Sequence, residues 1–150
     1  MRSGIEKIKK ALKKIYKKKN SIMVVDGSTV DSRKVLDELE LIRSAIGETE
    51  RISTIKVFIK GNAPEDLLKH IVDLGCHLMI APNDIDLALS LEVAPYMYNK
   101  DINSIIIATN NVNIMPLLLR AKEENKKVIF LKTNEEKTPL ENVADLTIAL

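Results

Sequence analysis

Residues 105–116 read IIIATNNVNIMP, and the reading of this stretch decides the fold. Four residues of buried type, Ile105, Ile106, Ile107 and Ala108, stop abruptly at a polar turn. Ile114, Met115, Leu117, Leu118 and Leu119 then begin a helical pattern. A near-continuous apolar run is what a strand covered on both faces of a parallel sheet requires. A strand feeding a helix through a short turn is part of a βαβ unit. In open α/β sheets, ligands gather just past the carboxyl ends of the strands. The turn Thr109-Asn110-Asn111-Val112-Asn113 therefore stands where a site is expected, and it carries three amides and no carboxylate.

The same alternation extends in both directions. Ile22–Val25 predicts a first strand ending at Asp26-Gly27. Residues 32–46 predict a helix, with Leu36, Leu39 and Ile42 on one side. Residues 52–59 alternate as a strand. Pro64, at a first helical position, opens a helix that Gly75 closes. Residues 77–81 form a short strand, 84–99 a helix, 103–108 the strand quoted above and 114–124 a helix. Residues 128–131 are a strand, a loop containing Pro139 follows, and 146–150 close the chain as a last strand. The expected architecture is α/β, a mostly parallel sheet of five to six strands with helices on both faces.

Bulk properties agree. The 150 residues fit one domain of common size. A hydrophobic content of 45% argues for a real core and against disorder, and with aromatics at 3% Ile, Leu and Val carry the packing. A single cysteine, Cys76, excludes an internal disulfide framework and fits a reducing, cytoplasmic setting. Lysines stand where a signal peptide would be apolar, and no run of 18 apolar residues predicts a membrane span.

The net charge of +2 conceals an asymmetry. Residues 1–19 hold nine basic side chains against one acid, net +8, which leaves the remainder at fourteen basic against twenty acidic, net −6. Ile5, Ile8, Leu12 and Ile15 make an apolar stripe at helical spacing, with lysines on the other faces. Residues 1–20 are thus expected to form a basic amphipathic helix, ended by Asn20 and packed on a domain of residues 21–150. Lys10, Lys13, Lys14, Lys17 and Lys18 are its candidate contacts to nucleic-acid phosphates. A solvated lysine face is the plainer account of the same residues, and the narrow stripe without Phe or Trp argues against a membrane surface.

No Gly-rich phosphate loop of either common type is present. Cys76, His77 and His70 lack the fourth partner a zinc site needs. The acids are better placed. Asp26 follows the first strand, and Asp84 and Asp86 open the helix after the third. Clustered there, they would hold Mg²⁺ or Mn²⁺ through oxygen. Plainer roles compete: Asp84 as a helix cap, Asp86 as a complement to the helix dipole, Asn111 or Asn113 as caps of the helix after the fourth strand. Phosphotransfer at Asp26 is set aside, because Ser28 occupies the position where such enzymes need a second Asp.

Four segments together carry a family resemblance. They are VVDGST (24–29), NDIDLALSLE (83–92), IIIATNNVNIMPLLLRAKEENKKVIFL (105–131) and VADLTIAL (143–150). Over nearly its whole length the chain resembles the NYN family of PIN-like domains, in particular the short archaeal group with a leading basic helix. The resemblance implies a three-layer α/β/α PIN-like fold and metal-dependent ribonuclease chemistry, with residues 21–150 as the NYN domain. It implies Asp26 and Asp86 as catalytic acids and Asp26, Asp84 and Asp86 as ligands to Mg or Mn. Asn111 and Asn113 occupy catalytic positions where the family has aspartates, and Thr29 stands in place of an Asn. An amide brings no negative charge to a dication and cannot act as a general base. The expectation is therefore an RNA-binding or RNA-processing protein with a weakened or lost catalytic site. An active Mg/Mn-dependent ribonuclease and a protein-interaction module, with an acidic partner or a second copy of the chain as a homodimer, are the alternatives.

Overall fold

A computed structural model describes residues 2–16 and 19–150, with side chains described for 3–12 and 19–150. After helix α1 (Arg2–Tyr16), six strands form one sheet: β1 (Lys19–Asp26), β2 (Glu50–Ile59), β3 (His77–Ile80), β4 (Ile102–Ala108), β5 (Lys127–Lys132) and β6 (Leu146–Ala149). The spatial order is β3-β2-β1-β4-β5-β6, and every pairing is parallel. The chain therefore winds outward from β1 to β3, returns, and winds outward again from β4 to β6. The carboxyl ends of β1 and β4 flank the point where the winding reverses, which is where open α/β sheets bind their ligands.

Strand pleating divides the core. Ile22, Val24, Ile105 and Ile107 face one side, under α5 (Ile85–Met97), α6 (Met115–Glu123) and α7 (Pro139–Val143). Met23, Val25, Ile106 and Ala108 face the other, under α2 (Ser32–Asp37), α3 (Leu39–Ile46) and α4 (Glu65–Asp73). The central strands are buried on both faces, as the apolar run at 105–108 predicts. Each fully buried Ile or Leu contributes about 1.5–3 kcal/mol. Charge also reaches the edge of this core. Lys56 on β2 pairs with Glu92 on α5 and lies 5.2 Å from the centre of the Tyr96 ring. Burial pushes its ammonium pKa down, but Glu92 and Tyr96 outweigh that and hold it above the ordinary lysine value.

Five expectations need correction. The helix over 32–46 is two, because Glu38 leaves helical geometry at φ −100° and ψ 16° and closes a tightened turn onto Val35 and Leu36. Pro64 is the cap preceding α4 rather than its first residue, with ψ 141°. The loop at Pro139 contains α7, stabilised by a capping box between Thr138 and Glu141. Asn20 does not end the basic helix; it lies in β1 and pairs with Arg51 and Ile102. Finally, the stripe of α1 is not covered by the domain: Ile5, Ile8 and Leu12 are 57%, 61% and 45% exposed. Helical spacing sets the period of such a stripe but not the surface that it meets. Gly75 closes the segment after α4 as expected, at φ 78°.

Candidate functional site

Asp26 is the last residue of β1, and its side chain is almost completely buried at 1% exposure. A carboxylate in that position needs partners. Oδ1 accepts from the Ser28 amide at 3.1 Å and the Ser28 hydroxyl at 2.6 Å. Oδ2 accepts from the hydroxyls of Thr29 and Thr109, each at 2.8 Å. Thr109 follows β4, so the carboxylate ties the ends of the two central strands together. The turn is made tight by Gly27, whose amide donates to the Phe58 carbonyl at 2.7 Å. A Cβ at Gly27 would meet that carbonyl oxygen at 2.5 Å and the Ser32 hydroxyl at 2.7 Å. Glycine is required here by close approach.

The amide turn after β4 is held by the same loop. The Asn110 amide donates to the Thr29 hydroxyl at 3.0 Å, and its side chain to the Thr29 carbonyl at 2.9 Å. The Asn134 side chain in turn donates to Asn110 Oδ1 at 3.3 Å. Asn111 accepts from the Asn113 amide at 3.0 Å and caps a short 3₁₀ turn at Val112–Ile114. This is the plainer role the sequence offered for Asn111. Asn113 is exposed.

Asp84 and Asp86 sit at the start of α5. Asp84 occupies the cap position in left-handed geometry, φ 47° and ψ 57°, and its side chain makes no capping hydrogen bond. Both acids line an open depression of about 460 Å³ with Ser28, Thr29, Lys60 and Asn111. Lys60, which directly follows β2, was not signalled by any motif; only its place after a strand end could have marked it. The hydroxyl clamp of Ser28, Thr29 and Thr109 was equally hidden, because spacing along the chain does not reveal a contact between residues 26 and 109.

The set does not suit a hard dication. Asp26 offers two oxygens with roughly four acceptor positions, and four donors already use them. Among the described residues, no group of three His, Cys, Asp or Glu side chains is placed to hold a metal ion. Asp26 thus acts as a clamp between the ends of β1 and β4. What remains open to a ligand is a shallow polar surface of hydroxyls, amides, one lysine and two acids. A second internal carboxylate, Glu50, lies at the opposite edge, where it accepts from Ser21 and Ser104 at 3.2 and 3.1 Å. Cys76 is a core residue; burial pushes its thiol pKa up, with Arg43 partly opposing, which disfavours the reactive thiolate.

On α1, Lys7, Lys9 and Lys10 are exposed. Lys13 and Lys14 belong to the helix by backbone, and Lys17 and Lys18 lie outside the described residues. Among the described residues, no helix is long and apolar enough to cross a membrane.

No family model matches the chain. It is similar to an uncharacterized protein of the archaeon Methanocaldococcus jannaschii, with 24% identity over 153 residues. The match covers 97% of this chain and 64% of the relative, so the chain spans slightly less than two thirds of that protein's length.

Proposed function

We propose that this chain is a PIN-like domain of the NYN type that binds RNA and has lost the metal-dependent cleavage chemistry of that fold. The observation that carries the reading is the state of Asp26. The one carboxylate at the winding reversal is spent on Ser28, Thr29 and Thr109, and the next strand end supplies Asn111 as a cap and Asn113 as an exposed amide. The parallel six-stranded sheet and the archaeal relative are compatible with it. The exposed lysines of α1 supply a phosphate-binding face next to a domain of net negative charge.

Fluorescence anisotropy with labelled single-stranded RNA at several salt concentrations tests the reading. Binding should weaken steeply with salt, persist in EDTA, and fall several-fold when Lys7, Lys9 and Lys10 are changed together to Ala. RNA bound no more tightly than by an unrelated protein of equal charge would overturn it. Cleavage that appears with Mn²⁺ would restore the ribonuclease reading and reject the loss of chemistry.

A further inference from the structure

We infer that the chain forms a homodimer in which α1 of each copy lies across the outer face of α5 of the other. Two exposed apolar stripes, on two different elements, carry this. On α1 the stripe is Ile5, Ile8 and Leu12, continued in sequence by Ile15. These positions repeat as a and d of two heptads, the spacing of a helix that packs along another helix. Gly4 and Ala11 fall beside the seam and permit close approach, Lys9 flanks it on the other side, and Lys7, Lys10, Lys13 and Lys14 fall on positions away from it.

On α5 the inward residues Ile85, Leu89, Val93 and Met97 are buried in the core. The outward face is also apolar: Leu87, Leu91 and Tyr98 are 58%, 67% and 61% exposed, with Pro95 exposed between them. A helix apolar on all sides belongs in an interior, and here one side lacks a cover. At 1.5 Å per residue the α1 stripe from residue 5 to 15 runs about 15 Å and the α5 stripe from 87 to 98 about 17 Å, so their lengths match.

Charge selects the partner. α5 carries no basic residue; Asp86 lies in its first turn and Asp84 precedes it, while Glu92 is taken up by Lys56. Arg120, which contacts the Tyr98 hydroxyl, is taken up by Glu123 and Glu124 at 3.2 and 3.8 Å. α1 is strongly basic, so it complements the apolar α5 with its acidic start and repels another α1. A single helix pair is smaller than the roughly 1,200–2,000 Å² of stable interfaces, and reciprocal exchange in a two-fold dimer supplies two. Lys7 and Lys10 fall on positions away from the seam, so both copies keep them available. The dimer stands or falls separately from RNA binding.

Light scattering on the full chain tests it. The wild type should run at twice the 16.8 kDa chain mass at micromolar concentration. Ile8→Gln with Leu12→Gln, and separately Leu87→Gln with Leu91→Gln, should each halve the mass while leaving the melting temperature of the diluted protein unchanged. A monomeric wild type would overturn the inference. So would loss of the dimer in the α1 variant alone, which means α1 pairs with α1, or in the α5 variant alone, which means α5 pairs with α5.

Discussion

Asp26 bears most of the interpretation, and its neighbours allow that to be tested directly. Removing the carboxylate leaves the Thr29 and Thr109 hydroxyls and the Ser28 amide without their acceptor at the ends of the two central strands. Asp26→Ala should therefore cost about 2–4 kcal/mol in denaturant unfolding, since hydrogen bonds to a charged acceptor contribute roughly 1.5–3 kcal/mol and buried donors left unpaired add a penalty. A ligand residue poised for metal would show the opposite, because relieving its isolation raises stability. Thr109→Val removes one of the four donors and should cost about 1–2 kcal/mol in the same measurement. Gly27→Ala meets the Phe58 carbonyl and should destabilise by about 1–3 kcal/mol, the usual cost of overpacking. The importance of Asp26 was legible in the sequence, because a carboxylate followed by Gly at a strand end has no helix to cap. Its role was not. The partners sit up to 83 residues away, and only folding brings Thr109 to Asp26.

At the scale of elements, the strands were readable because burial on both faces writes itself as Ile and Val runs, as at 105–108 and 128–131. Short polar helices write no such pattern. α7 has five residues and depends on its capping box, so Pro139 alone suggested a loop. The capping side chain of Glu141 also pairs with Lys132 at 2.8 Å. The Lys132 ammonium, with the Thr138 amide, holds the Glu141 carboxyl below its usual pKa. A carboxyl lowered in the folded state stabilises above its ordinary value, and that contribution disappears as pH falls through the lowered one. Glu141→Gln should therefore lose less stability than the wild type on titration below about pH 4, read by thermal melts across pH. The exposure of α1 was not legible either. A stripe at helical spacing looks the same whether it meets its own domain or another molecule, and the choice depends on surfaces formed elsewhere in the chain.

For the whole molecule, winding order and charge distribution fix what the chain has to work with. The sheet reverses between β1 and β4 and brings together one saturated carboxylate, an amide turn and an acidic rim at Asp84 and Asp86. The positive charge is concentrated in residues 1–19, remote in sequence from that rim. Such a division separates the basic N-terminal segment, to which the proposal gives the phosphate contacts, from the strand-end surface with its acidic rim. The most direct test incubates end-labelled RNA with the purified chain in Mn²⁺, Mg²⁺ or EDTA and follows binding and product length in the same samples. The account predicts salt-sensitive binding of equal strength in all three and RNA of unchanged length. Shortened RNA in Mn²⁺ or Mg²⁺ that EDTA abolishes, and that Asp26→Asn abolishes in a folded protein, would contradict it.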